Sequence, residues 1–195
     1  LADLPNLPLF CVANEFFDAL PLHQYQRKGE SWHERQIGLT DGQLSIGLNK
    51  NPSVTPQLKA RIEDTVEGDI VEINPQTRAI AAQIGNHIEA YKGVAIIIDY
   101  GDWRSLGDTV QAVKNHQFVD ILKAPGEVDL TAHVDFEAIV NAAACAASRL
   151  TPQGVVLERL GITPRAQTLA KNLSGPALEQ HIAAHRRLTH PNEMG

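Results

Sequence analysis

Cysteine is scarce in this sequence: only Cys11 and Cys145 occur, both in apolar runs, so no disulfide framework is implied and a reducing compartment is expected. No apolar stretch comes near the ~18 residues that a membrane-spanning helix needs. Leu1-Ala2-Asp3 opens without the basic region and cleavage site of a signal peptide. An excess of basic charge is also missing, with 17 Lys and Arg against 23 Asp and Glu and a formal charge of −6, so nucleic acid is not an expected partner. The sequence has no glycine-rich phosphate loop, no GxSxG elbow and no HExxH helix, which leaves the common phosphate, acyl-transfer and zinc-hydrolase chemistries without their residues. A chain that begins without Met is expected to be cropped or processed.

What is present suits a folded globular protein. The 195 residues are 43% hydrophobic and 21% charged, enough for a sizeable core in one domain of ordinary size. Acidic charge is concentrated early: residues 1–150 hold 12 basic and 20 acidic residues, residues 151–195 hold 5 and 3. Leu7 to Asn14 (LPLFCVAN) and Val94 to Asp99 (VAIIID) are continuous apolar runs of strand length, the pattern of buried parallel strands. Between them, Trp32 to Leu48 carries Asp41-Gly42, the turn signal of an antiparallel hairpin. Asn74-Pro75 starts a helix, Asn capping and Pro at the first position, with Ile80, Ile84, Ile88 and Tyr91 at helical spacing. Asp135 can cap another, with apolar positions recurring from Phe136 to Leu150. A short strand over Val155 to Leu160 and helices around Ala166 to Leu173 and Ala177 to Leu188 complete the reading. Strand, helix and apolar strand in that order predict an α/β fold with a mostly parallel sheet flanked by helices and an antiparallel hairpin inserted into it.

Ligands of open parallel sheets bind beyond the carboxyl ends of the strands, so the polar residues that follow each apolar run carry the chemistry. After the first run come Asn14-Glu15-Phe16-Phe17-Asp18. If the chain turns helical there, Glu15 and Asp18 share a face and can hold a guanidinium or act as acid and base; alternatively Asn14 caps a helix whose positive end favours both carboxylates. After the second run come Asp99-Tyr100-Gly101-Asp102. A long polar segment follows, through Gly107-Asp108-Thr109, His116 and Pro125 to Asp135, and it predicts either a lid over the carboxyl edge, with Asp129 and His133 facing substrate, or a local hydrogen-bonded knot. His133 and Asp135 lack a further His or Cys at ligand spacing, so no metal site is expected. His181, His185 and His190 read as a helix surface.

Five stretches, NEFFDALP at 14–21, EINP at 72–75, IIIDYG at 96–101, GDT at 107–109 and PGEVDLTAHVDF at 125–136, resemble the MidA-type S-adenosylmethionine-dependent methyltransferases, whose mitochondrial members are complex I assembly factors that dimethylate an arginine. The resemblance implies a class I methyltransferase (Rossmann-like) sheet, the Leu9 run as its fourth strand and the Val94 run as its fifth. It implies that residues 1–195 are the C-terminal portion of a single methyltransferase domain, with insertions at about 22–73 and 102–134 and with the first strands and the cofactor's glycine loop absent. S-adenosyl-L-methionine is then the cofactor, bound in part by Asn14 and Glu15. Glu15 and Asp18 are the candidate catalytic residues, and Asn14, Tyr100, Asp129 and His133 the candidate substrate contacts. The expected partner is a protein substrate, a respiratory complex I subunit among the candidates, with a homodimer as an option. The setting is a bacterial cytoplasm or, alternatively, the mitochondrial matrix. A non-catalytic assembly module and a small-molecule methyltransferase are the competing readings.

Overall fold

The computed structural model describes residues 4–115 and 117–195, so His116 lies outside the described residues. They fall into two compact units, one ending at Ala147 and the other spanning Ser148–Gly195. In the first unit β1 (Leu9–Asn14) is followed by a four-stranded antiparallel sheet built from β2 (His23–Lys28), β3 (Ser31–Thr40), β4 (Gln43–Leu48) and, after the short helix α1 (Pro56–Ala60), β5 (Ile70–Ile73), in the spatial order β4-β3-β2-β5. Helix α2 (Pro75–Tyr91) then leads to β6 (Gly93–Ile98), which pairs in parallel with β1 from Leu9↔Gly93 to Asn14↔Ile98. The parallel pairing of the two apolar runs is as the sequence predicts, and so is the hairpin. Asp41 and Gly42, at φ 52° and 78°, make its two-residue turn, which an Asp-Gly pair adopts with little strain.

The 102–134 segment is not a structureless loop. It contains β7 (Gly101–Asp102), β8 (Gln111–Lys114), β9 (Gln117–Val119), β10 (Asp129–Thr131) and β11 (Val134–Asp135), with β8 at the centre of a small antiparallel sheet and β11 parallel to β7. These strands have two to four residues, too few for alternation to register in the sequence. No helix follows β1 either. Glu15 sits at φ 47° and the chain passes through a turn, so Glu15 and Asp18 do not share a helical face and Asn14 caps nothing.

Helix α3 (Phe136–Ala143) starts where predicted, Asp135 accepting from the Ala138 amide, but it ends at Ala144, φ 52°, and does not reach Leu150. Its C-terminal end lies against α2 at Gly85, where a Cβ would come 1.5 Å from the Ala143 carbonyl oxygen. Apolar recurrence beyond Ala143 therefore does not continue the helix. In the second unit, Val155 to Leu160 is not a strand: it belongs to α4 (Gln153–Arg159), followed by α5 (Ile162–Ala170) and α6 (Gly175–Thr189). Val155-Val156 favours a strand locally, but the Gly154 backbone packs against Thr189 at the end of α6 and the helical packing prevails. The Nε2 of His181 is 2.9 Å from the Ala166 carbonyl and that of His185 2.9 Å from the Thr163 hydroxyl, so both histidines join helices of this unit.

Two cores hold the first unit. Phe17, Ala81, Ile84, Val134, Phe136 and Ile139 form one, with Leu9, Ala13, Ala95 and Ile97 of the parallel pair packed on it. Trp32, Leu58 and Val71 form the other, between the antiparallel sheet and α1. The apolar runs predicted strands buried on both faces, whereas only the inward faces are covered among the described residues: Phe10 is 79% and Val12 67% exposed.

Candidate active site

The turn after β1 is held by an acid from β6. Asp99, one residue beyond that strand, accepts the Phe17 amide at 2.9 Å and the Asp18 amide at 3.3 Å on one oxygen and the Tyr100 amide at 3.0 Å on the other. Because β1 and β6 are in parallel register, their polar exits reach the same edge, and the amide of Glu15 donates to the Ile98 carbonyl at 2.9 Å. Phe17 then enters the core, and Asp18 beside it is buried, its Oδ1 having no hydrogen-bond partner among the described residues. Burial pushes the Asp18 carboxyl above the usual carboxylate range; the negative charges of Asp99 and Glu15 add to this, and its own and the Ala19 amide oppose it. Burial also raises Asp99, against the amides that it accepts.

The polar segment closes onto this turn. The Ala132 amide donates to the Asp18 carbonyl at 3.0 Å and the Val134 amide to the Tyr100 carbonyl at 2.8 Å. The His133 amide donates to the Thr109 hydroxyl at 2.8 Å, which itself donates to a carboxylate oxygen of Glu72 on β5; Glu72 also accepts the Thr109 amide at 3.0 Å and Gln24 Nε2 at 2.7 Å. Neighbouring Asp108 accepts from Gln24 and Arg35, both at 2.7 Å, and these bonds keep it acidic even though burial acts the other way. All five stretches quoted above therefore meet at one place.

A cavity of about 160 Å³ opens there, and Asp18, Glu72, Arg61, Arg78, Asp135 and Glu137 are among the residues that line it. Arg61 is buried, bonded to both oxygens of Asp64 at 3.2 and 2.9 Å and to the Ser105 carbonyl at 3.0 Å. Arg104 holds Glu137 bidentately at 2.7 Å, which keeps Glu137 below the usual range. Asp135 is shifted upward, since burial outweighs the Ala138 amide and the Arg61 charge.

Of the sequence-predicted site residues, Asp18 and His133 line this cavity, while Asn14, Glu15 and Tyr100 stand at the nearby strand ends with exposed side chains. Asp129 lies on β10, paired with Val113, and is not among the lining residues. Asp99 was singled out at the exit of the second apolar run, whereas Glu72, Thr109, Arg61 and Arg78 were not predicted as site residues. Glu72 and Thr109 lay within the quoted EINP and GDT stretches; Arg61 and Arg78 had no signal, since only the folded chain brings them to the cavity.

Parallel strands whose polar exits lie near a cavity lined by acids and arginines define an α/β protein with a candidate ligand site beside the carboxyl edge of its sheet. The chain belongs to the S-adenosyl-L-methionine-dependent methyltransferase family, which it matches over residues 1–156. It is 34% identical over its whole length to the Xenopus laevis mitochondrial protein arginine methyltransferase NDUFAF7, covering 46% of that protein, and 33% identical to the human one, covering 45%. A COG1565 superfamily member from Burkholderia thailandensis, crystallised with S-adenosyl-homocysteine, superposes with a TM-score of 0.78 at 26% identity, over all of this chain and 53% of its own. The chain thus spans about half the length of the curated relatives it matches. Among the described residues no helix is long and apolar enough to cross a membrane.

Proposed function

We propose that the whole protein transfers a methyl group from S-adenosylmethionine to an arginine side chain of a protein substrate, a subunit of respiratory complex I being the candidate that the relatives' names suggest. The observation that carries this reading is the buried, unpartnered Oδ1 of Asp18 at the cavity. An orphaned carboxylate oxygen is costly unless a donor arrives, and a guanidinium supplies planar donors together with a charge that offsets the burial. Asp18 holds the guanidinium, and Glu15, close enough to act on Asp18 electrostatically, orients it from the strand end.

S-adenosylmethionine, when bound, supplies an electrophilic methyl group for direct displacement. Asn14 and Glu15 would hold it in part: both are exposed at the carboxyl end of β1, and an amide with a carboxylate suits its ammonium and hydroxyl groups. His133 and Tyr100 line the approach, with Asp129 outside it on β10. The work left to the chain is alignment and exclusion of water, which Asp99 and the Ala132–Asp18 contact serve by fixing the turn. In the whole protein, Asp18→Asn is expected to abolish methylation of the substrate arginine, and Glu15→Gln to reduce it strongly, while S-adenosylhomocysteine still binds to Asp18→Asn by calorimetry. Undiminished turnover in Asp18→Asn removes the assignment.

A further inference from the structure

The charges around the cavity do not cancel internally. Glu72 is saturated by Gln24 and Thr109, Glu137 is clasped by Arg104, Asp135 caps α3, and Arg61 is taken by Asp64 and Ser105. Two groups remain. One is Asp18 Oδ1, in a side chain whose residue is only 6% exposed. The other is Arg78, half-buried in the first turns of α2, which makes no hydrogen bond or ion pair with any described residue and lines the same cavity. The two do not pair with each other. Arg78 also stands near the positive end of a 17-residue helix, which favours an anion beside it.

We infer that Arg78 is a specificity-determining residue that binds an acidic side chain next to the arginine held by Asp18, so that the preferred substrate is an arginine with a carboxylate neighbour. The inference rests on the reading of Asp18 as the guanidinium site. A ligand bearing both charges satisfies both leftover groups at once, whereas an arginine among neutral or basic neighbours leaves Arg78 unpaired or repelled. Free arginine carries the same pair of charges through its own α-carboxylate, so it is the comparison that separates the two sources.

The test uses the whole protein and three peptides with one central arginine flanked by Glu, Ala or Lys, each also made with citrulline in place of arginine, together with free L-arginine. Binding is read by calorimetry without the cofactor and methylation by mass spectrometry. The Glu-flanked peptide is expected to bind about three- to tenfold more tightly than the Ala-flanked one, a range set by a partly exposed charge pair. Arg78→Glu should invert the order in favour of the Lys-flanked peptide, and Arg78→Lys should keep it. An unchanged order in Arg78→Glu, or free arginine binding as tightly as the Glu-flanked peptide, overturns the inference while Asp18-dependent binding persists. If citrulline peptides bind as well as arginine peptides, the guanidinium reading fails, and this inference with it.

Discussion

The carboxyl edge of the parallel pair and the tip of the β3–β4 hairpin are built in opposite ways. At the edge, an acid 82 residues along the chain fixes the Phe17 amide, and residues near 72, 109 and 133 meet in one hydrogen-bonded group. At the tip, every pairing is local: Ile37 faces Ile46 and Leu39 faces Leu44 across the Asp41-Gly42 turn, with Leu39 73% exposed. Distant contacts make the edge intolerant of change and able to hold buried charge. Local contacts make the tip tolerant of change, and its polar groups remain in water.

The sharpest contrast is between two glycines. Gly93, at φ 123°, would place a Cβ 2.0 Å from the Leu9 carbonyl oxygen, so Gly93→Ala should force the parallel strands apart and cost about 3 kcal/mol or more in denaturant unfolding. Gly42, at φ 78°, has nothing within 4 Å, so Gly42→Ala should cost only the left-handed strain of about 1 kcal/mol. Equal losses would erase the distinction between the regions. Leu58, fully buried beside Trp32, should lose about 2–5 kcal/mol on change to Ala, whereas Leu39→Ala should stay within about 0.5 kcal/mol. Asp99→Ala leaves the Phe17 and Asp18 amides without their acceptor and should cost roughly 1–3 kcal/mol, with exchange protection lost at those two amides before the rest of the fold.

The smallest effect concerns pH. Asp18, Asp99 and Asp135 all have folded pKa values raised above the unfolded one, so each binds its proton more tightly when folded. Their contribution is full below the unfolded value near 3.8 and is lost as pH rises through the raised values. Glu137, lowered by Arg104, acts in the opposite sense: its contribution is present above its unfolded value and is lost as pH falls through the lowered one. Chemical denaturation at a series of pH values rising from the ordinary carboxylate range should therefore show Asp18→Asn gaining on the parent as pH rises. A parallel pair of curves would mean that burial does not raise Asp18.

Much of the fold was legible where local chemistry decides. The Asp41-Gly42 turn, the Asn74-Pro75 cap, the Asp135 cap and the two apolar runs each announce their element through conformational preference or period. Val155-Val156 misled because its strand preference is weaker than the packing of α4 within its unit. The residues after β1 misled because a spacing of three suggests a helix, whereas Asp99, far away in sequence, captures those amides and makes a turn.

Sequence alone determined the family, the parallel strand pair and the edge at which chemistry would gather, since each follows from short motifs and from which faces are apolar. The tertiary structure decided which polar groups are used up and which are left over: Glu72, chemically an equal of Asp18, is saturated by Gln24 and Thr109, while Asp18 keeps a buried oxygen without a donor. A carboxylate's role depends on its desolvation and on its partners, and both are set by residues brought together only when the chain folds.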